Sequence, residues 1–559
     1  MTSTSRSSRM EDQSTLTPTD VNFFSKNDNT INDGSSISNG LEEQEVTNRI
    51  ELSAEDETNL VTIDPVMPAT SSVRSDSGNG DDKRLHCLDL LRGLIVAIMA
   101  WDHCKDFLSL YRGNDGTKPG DTTDSGWGKH TEAYAGELEM FSGKFQYFFA
   151  RAVSHICAPG FSFLMGVGMI MLKESRMRNS GWDKARVCRF FVVRGIVLIL
   201  LGFVVRAAFL IVPPPIHQAK HINRALADLF GFFQVMTSLG LSMITAAPLV
   251  THALPCLTTE ATRETDSSAV SEPSPMTDSS AAPLLLPSNH DTPNSDVRHP
   301  TSWKKISIIW TVCTLLASAI LAIEQYLVWS RQGSDPGKAH MAGATTFGEI
   351  LLRFTFVPGE FGSIPSLDYY PFLPWFAITL FGIAFGASLV LHSCRGQMIK
   401  SCTAYSGLSL LFAFVLVRFF GGRVFSMRGW PLNEGRAYPL ISFLNVCKYP
   451  PSVSYILLTM GINLLLLNGF SRIGHPDKYF LSRFLWTFGR VPLAFYVLHF
   501  YLITTIAVII RAATGGVPGI PLSWVILVWL GVLVIMKGIC DHYAAFKAKT
   551  SPESIWRFF

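Results

Sequence analysis

Residues 84–111 read RLHCLDLLRGLIVAIMAWDHCKDFLSLY, and the apolar centre of this stretch is long enough to cross a bilayer as one helix. Similar stretches of about 20 residues recur to the end of the chain, which predicts an all-α fold, a polytopic transmembrane helical bundle. We predict about ten spans, at approximately 88–110, 147–172, 189–212, 226–251, 306–329, 371–393, 403–420, 452–469, 484–510 and 522–545.

The composition of the 559-residue chain supports a membrane protein. Charged residues make up 16% of it and hydrophobic residues 48%, and the mean hydropathy is +0.25, whereas soluble domains carry about 25% charged residues. Residues 1–83 are acidic, with roughly 6 basic against 16 acidic side chains, and they offer few apolar residues for a core. The remainder has no run of Lys and Arg that could form a basic face, which excludes nucleic acid as a main partner.

The chain divides into five segments by composition. We predict a disordered cytoplasmic tail over 1–83, a first membrane block of four helices over 84–251, a disordered Ser- and Pro-rich linker over 252–303, a second membrane block of about six helices over 304–546 and a short C-terminal tail over 547–559. The loop KESRMRNSGWDKARVCR at 173–189 is the most basic connection, so the positive-inside rule places it in the cytoplasm. With ten spans both termini are then cytoplasmic. The membrane, whether endomembrane, vacuolar or plasma, is left open.

Ionisable side chains stand at both ends of the first span. Asp89 and Arg92 are three residues apart and share one helical face, so either an ion pair or contact with an anionic ligand would explain them. Asp102 and His103 lie near the other end, and His103 is about 15 residues beyond Leu88, a rise of roughly 22 Å along the helix axis. A neutral imidazole can take a proton from an amine or hydroxyl, and a neighbouring carboxylate can hold its tautomer. A hydrogen bond to a neighbouring helix is the purely structural explanation of this histidine.

Three further histidines are candidates for the same site. His155 lies early in the second span, FFARAVSHICAPGFSFLMGVG, and His499 lies about 15 residues into the ninth. His130, in the loop GWGKHTEAYAGE, could reach the site from above, although simple exposure also explains it. Pro159 should bend the second span and free backbone carbonyl groups.

Two other sets of polar residues lie within the spans. Glu324 is an intramembrane acid near the outer end of the fifth span, which indicates either a function or an ion pair with Arg418. Arg92, Arg194 and Arg490 recur near the inner ends, where they could bind phosphate or simply anchor the helices in the cytoplasmic leaflet. We find no Walker loop, no G-x-S-x-G and no metal-ligand spacing, so no metal is expected.

Five blocks of the chain, taken in order, resemble the membrane proteins that have a heparan-alpha-glucosaminide N-acetyltransferase catalytic domain. The blocks are LDLLRGLIVAIMAWDHCKDF, FFARAVSHICAPGFSFLMGVG, YPFLPWFAITLFGIAFG, NVCKYPPSVSYILLTMG and GRVPLAFYVLHF. The resemblance implies a multi-pass enzyme that takes an acetyl group from cytosolic acetyl-CoA and passes it across the bilayer to an amino sugar. It also implies a central histidine. His130 is the counterpart by loop position, whereas His103 and His155 belong to the matching blocks.

The resulting hypothesis is acyl transfer with acetyl-CoA as co-substrate. We expect His103 to act as general base or transient acyl acceptor, Asp102 to orient it, and His155 or His499 to supply a second imidazole. A proton-coupled transporter, in which the same buried acids and histidines form a proton relay, is the alternative.

The same hypothesis names binding residues and partners. Arg92 and Arg490, with Asp89 beside them, would hold the CoA phosphates. The expected partners are the lipid bilayer and a small-molecule acyl acceptor such as an amino sugar, and a homodimer is compatible with a bundle of this size.

Overall fold

The structure is a computed structural model. It describes residues 85–109, 145–211, 232–254, 303–332, 346–360, 367–368, 370–392, 395–426, 439–515 and 519–550. The predicted N-terminal tail, most of the predicted linker and the loop that carries His130 lie outside these residues. The described part is almost wholly helical, which confirms the predicted fold class.

Fifteen α-helices and three very short strands make up the described residues. The helices are α1 His86–Leu108, α2 Phe145–Ala152, α3 Cys157–Ser180, α4 Lys184–Ile211, α5 Val235–Pro248, α6 Trp303–Gln332, α7 Phe347–Thr355, α8 Phe372–Leu391, α9 Arg395–Phe420, α10 Gly422–Ser426, α11 Pro439–Leu444, α12 Val453–Ser471, α13 Phe480–Arg490, α14 Pro492–Ala513 and α15 Leu522–Lys549. The strands β1 Phe232–Phe233, β2 Gly359–Glu360 and β3 Leu367–Asp368 form a small sheet in the order β1-β3-β2. In it β1 is parallel and β2 antiparallel to β3.

Nine helical segments of the described chain are long and apolar enough to cross a membrane, and they correspond to nine of the ten predicted spans. The tenth predicted span is α1, whose charged residues lower its hydropathy. This helix packs against α3, α12, α13, α14 and α15, and most of its residues are buried. Its charges therefore lie against protein rather than lipid, which is where ionisable groups in a membrane bundle are tolerated.

The predicted ninth span is broken into two helices. α13 ends at Arg490, and α14 begins at Pro492 after Val491 leaves the helical conformation. Proline has no N–H to continue a helix and disfavours helical geometry in the residue before it, so it starts a new helix at its own position. The break leaves the carbonyl group of Gly489 beside the first turns of α1, where it accepts a hydrogen bond from Arg92.

Glycines set the closest helix contacts. A Cβ atom at Gly93 would overlap the backbone of Leu485 in α13, and one at Gly489 would overlap the backbone of α1. Between α3 and α8, Gly166 and Gly382 allow the same close approach. Small residues at such crossings let backbones pack tightly.

Two indole groups fix the position of α1 along its axis. The Nε1–H of Trp101 donates to the carbonyl oxygen of Ala150 at 2.8 Å, and that of Trp529 donates to the carbonyl oxygen of Ala97 at 2.9 Å. Both bonds lie in the half of α1 that carries His103. They therefore hold this half in register with α2 and α15.

Candidate active site

His103 on α1 and His499 on α14 lie side by side. Nδ1 of His103 is 2.8 Å from Nε2 of His499, and the two ring planes are inclined by 23° with centroids 5.1 Å apart. The ring of Phe500 covers His103 at a centroid distance of 4.2 Å. His499 is completely buried and His103 is partly exposed. The structure thus brings together two of the predicted site histidines, which are 396 positions apart in the chain.

The hydrogen bonds of this pair show which ring nitrogen carries the proton in each neutral histidine. Nδ1 of His499 lies 2.9 Å from the carbonyl oxygen of Phe495, and a carbonyl can only accept, so this nitrogen carries the proton. Nε2 of neutral His499 is then an acceptor, and Nδ1 of His103 must donate to it. The proton of His103 is therefore on Nδ1, and its Nε2 presents a lone pair that accepts no hydrogen bond from the described residues.

Asp102 contacts a lysine rather than the neighbouring histidine. Its Oδ1 is 2.8 Å from Nζ of Lys105, which is also 3.4 Å from Asp106. Successive side chains on a helix point about 100° apart, and in the described residues Asp102 makes no hydrogen bond to His103. Its negative charge nevertheless acts on the imidazole. In this geometry His499 orients His103, and Asp102 influences it through space.

His155 lies in a 3₁₀ turn, Val153–Ile156, just before α3. Its ring is buried against Tyr455, with centroids 5.6 Å apart, and within the described chain neither His103 nor His499 bonds to it. The carbonyl oxygen of His155 accepts a hydrogen bond from the hydroxyl of Tyr455 at 2.8 Å. In a regular helix this oxygen would accept from residue 159, but Pro159 has no N–H. The carbonyl group freed by the proline is thus bonded by a neighbouring helix.

Two buried cations at this depth were not identified from the sequence. Lys448 is 7% exposed, and its charge acts on Asp102, His103 and His155. Arg151 is 3% exposed, and its Nη1 lies 3.4 Å from the Oδ1 atom of Asn445. Lys448 could have been identified from the sequence, because it is the single charged residue in the block NVCKYPPSVSYILLTMG.

A second group of charged residues lies at the opposite end of α1. Nη1 of Arg92 donates to Oδ1 of Asp89 at 2.8 Å and to the carbonyl oxygen of Gly489 at 3.3 Å. Asp89 and Arg92 therefore form an ion pair, which was one of the two explanations offered for them. The guanidinium of Arg490 lies 4.8 Å from the ring centre of Trp486.

Arg194 on α4 adds a third guanidinium to this end. It interacts electrostatically with Arg92, and its buried Nε–H finds no acceptor among the described residues. Unmatched buried donors in native proteins require an explanation, and a bound anion supplies one.

Asp89 and His103, which mark the two groups, are 14 residues apart, a rise of about 21 Å along α1.

Glu324 lies apart from the histidines. It is fully buried on α6, and its Oε1 accepts no hydrogen bond from the described residues. The alternative ion pair with Arg418 is not formed, because Arg418 donates to the carbonyl oxygens of Phe443 and Ser442. The neighbouring Gln325 lines an apolar cavity of about 1160 Å³ between α6, α8, α9 and α12.

Comparison with known proteins supports the resemblance drawn from the five blocks. Residues 305–415 match the family model described as heparan-alpha-glucosaminide N-acetyltransferase, catalytic. The matched range runs from α6 into α9 and includes the block that begins YPFLPWF. No curated protein matches the chain. The chain therefore resembles this family, which indicates a membrane acetyltransferase, and the histidine pair lies outside the matched range.

Proposed function

We propose that the protein transfers an acetyl group from cytosolic acetyl-CoA to the amino group of a small acceptor, such as an amino sugar, on the other side of the membrane. The observation that carries the proposal is the histidine pair, in which Nε2 of His103 has a free lone pair and Nδ1 is bonded to His499. The family match over residues 305–415 supports the reaction class.

The free lone pair allows general base catalysis. Nε2 of His103 takes a proton as the acceptor nitrogen attacks the thioester carbon, the C–N bond forms and the C–S bond breaks. The imidazolium then returns the proton to the departing thiolate of CoA. Asp102 stabilises the positive charge that His103 carries between these steps. Direct attack of Nε2 on the thioester, giving a transient acetyl-histidine, uses the same tautomer and would produce ping-pong kinetics.

Positive charges in the site suit the anionic transition state. The tetrahedral intermediate of acyl transfer places negative charge on the former carbonyl oxygen, and preorganised donors stabilise that charge. Lys448 acts electrostatically on both His103 and His155, so it is our candidate for this role.

The donor is held at the other end of α1. Arg92 and Arg490 provide guanidinium groups that match phosphate oxygens, and the unmatched Nε–H of Arg194 offers a further donor there. Asp89 orients Arg92 through their ion pair. The long arm of CoA would then extend along α1 toward the histidine pair.

The test is acetyl transfer by the purified full-length protein in detergent. CoA release is measured with and without glucosamine for the wild type, for His103→Ala and for the control His542→Ala, which replaces an exposed histidine on α15. We expect release that rises with glucosamine and falls by about 10²- to 10⁴-fold only in His103→Ala. No CoA release by folded wild-type protein, together with solute uptake into proteoliposomes without acyl-CoA, would instead support a transporter.

A further inference from the structure

Trp182, in the loop between α3 and α4, holds two positive charges close together. The guanidinium carbon of Arg176 lies 5.0 Å from the ring centre of Trp182, and that of Arg186 lies 4.6 Å from it. Both contacts are within the range of cation–π attraction. The indole therefore brings two positive charges to this connection between α3 and α4.

Next to Trp182 is a groove of about 490 Å³, a volume typical of small-ligand sites. Its walls change from cationic to apolar along its length. They are formed by Trp182, Ala185, Arg186, Arg189, Phe190 and Val193. Arg189 is exposed, so its guanidinium is available to a ligand.

The apolar end of the groove continues onto the outer face of α4. Val193, Ile196, Leu200 and Val204 are between 40% and 56% exposed, and their spacing of three or four residues places them on one side of the helix. α4 is one of the helices that can cross the membrane, so lipid covers this side. The groove therefore begins at the level of the lipid headgroups and ends among the acyl chains.

We propose that this groove binds an anionic phospholipid, with the phosphate of the headgroup paired to Arg186 and Arg189 and one acyl chain lying along Val193 and Leu200. Guanidinium forks match phosphate oxygens in pairs. The ring of Trp182 suits the interface between headgroup and chain. The positive-inside rule alone would explain why the loop is basic. It would not explain why the loop also forms a groove, or why the ring of Trp182 contacts two arginines.

Charge complementarity selects this occupant over an uncharged lipid. Besides the two groove arginines, Arg176 and Arg178 in the last turns of α3 and Lys184 at the start of α4 flank the loop. Basic clusters beside a transmembrane helix are attracted to the anionic leaflet, and the attraction rises with each cation.

The test is lipid retention by the full-length protein in phosphatidylcholine nanodiscs that contain a minor fraction of phosphatidic acid. Retained lipid is measured by native mass spectrometry. The groove variant is Arg186→Gln/Arg189→Gln. The matched control is Arg178→Gln/Lys184→Gln, which removes the same charge from the same loop outside the groove. We expect the groove variant to lower the ratio of retained phosphatidic acid to phosphatidylcholine by about 30-fold, and the control to lower it much less.

Three outcomes would overturn the proposal. Equal losses in both double variants would mean diffuse charge attraction rather than a groove. Absence of selective retention by the wild type would mean that no such site exists. Displacement of the lipid by free inorganic phosphate or CoA at low concentration would assign the groove to a soluble phosphate compound. Because the readout is lipid retention, the result does not depend on whether acetyl transfer is confirmed.

Discussion

Replacing His499 tests the tautomer assignment in the histidine pair. His499→Phe keeps a flat ring of similar size but removes the acceptor that faces Nδ1 of His103 at 2.8 Å. Without this acceptor His103 no longer favours the tautomer with a free Nε2, and part of the population carries its proton on the nitrogen that must act as base. We therefore expect the turnover number to fall while the KM for acetyl-CoA stays nearly unchanged.

The size of the loss follows from the hydrogen bond that is removed. Leaving a donor in this part-buried position without its partner costs about 1–3 kcal/mol, and each 1.4 kcal/mol is a factor of ten in rate or equilibrium. The expected decrease in kcat is therefore about 5- to 150-fold. This is smaller than the loss expected for His103→Ala, because the base itself remains in place.

His499→Gln is the informative companion variant. The amide oxygen of glutamine reaches a position similar to Nε2 of histidine and can accept the same hydrogen bond. We expect it to recover at least half of the free energy lost in His499→Phe. The assay is steady-state CoA release with acetyl-CoA and glucosamine varied separately, on protein whose melting temperature matches the wild type. A kcat for His499→Phe equal to that of the wild type would refute the tautomer argument, as would equal losses in the two variants.

Three further predictions concern other parts of the molecule. Arg490→Gln should raise the KM for acetyl-CoA by about tenfold with little change in kcat, because it removes a charged phosphate donor; an unchanged KM in steady-state assays would remove Arg490 from the donor site. Glu324→Leu should raise the free energy of unfolding by about 1–3 kcal/mol, since it removes a buried carboxylate oxygen without a partner, and should leave transfer unchanged; lost transfer would instead favour the proton relay. Gly93→Ala should lower the melting temperature, since overpacking costs about 1–3 kcal/mol, whereas Gly168→Ala, with open space around it, should not; similar melting temperatures for the two would argue against the close crossing of α1 and α13.

The helices of the bundle were predictable from the sequence because each needs only an apolar stretch of sufficient length. The break at Pro492 was harder to predict, since apolar residues on both sides extend the pattern of one long span. The ion pair of Asp102 with Lys105 has the same spacing of three residues as Asp89 with Arg92, and it could have been predicted in the same way. The role of Asp102 as orienter of His103 stays a prediction without a direct contact to support it.

The contact between His103 and His499 could not be derived from the sequence. Depth in the membrane places both at one level, but the rotation of each helix about its axis depends on packing. For α1 that rotation is set by the glycine crossing with α13 at Gly93 and Gly489, and the start of α14 is set by Pro492. These are long-range effects that local periodicity does not encode.

The position of α1 in the bundle connects its unusual composition with the proposed reaction. One helix carries both the ion pair of Arg92, at the proposed donor site, and His103, at the proposed acceptor site. If two different helices carried these groups, their relative sliding would change the distance that the acetyl-bearing arm must span. On one helix that distance is set by the rise per residue, about 17 Å for the 11 residues between them. Enclosure of α1 by five other helices keeps these charged groups away from lipid while one rigid element holds both ends of the proposed reaction path.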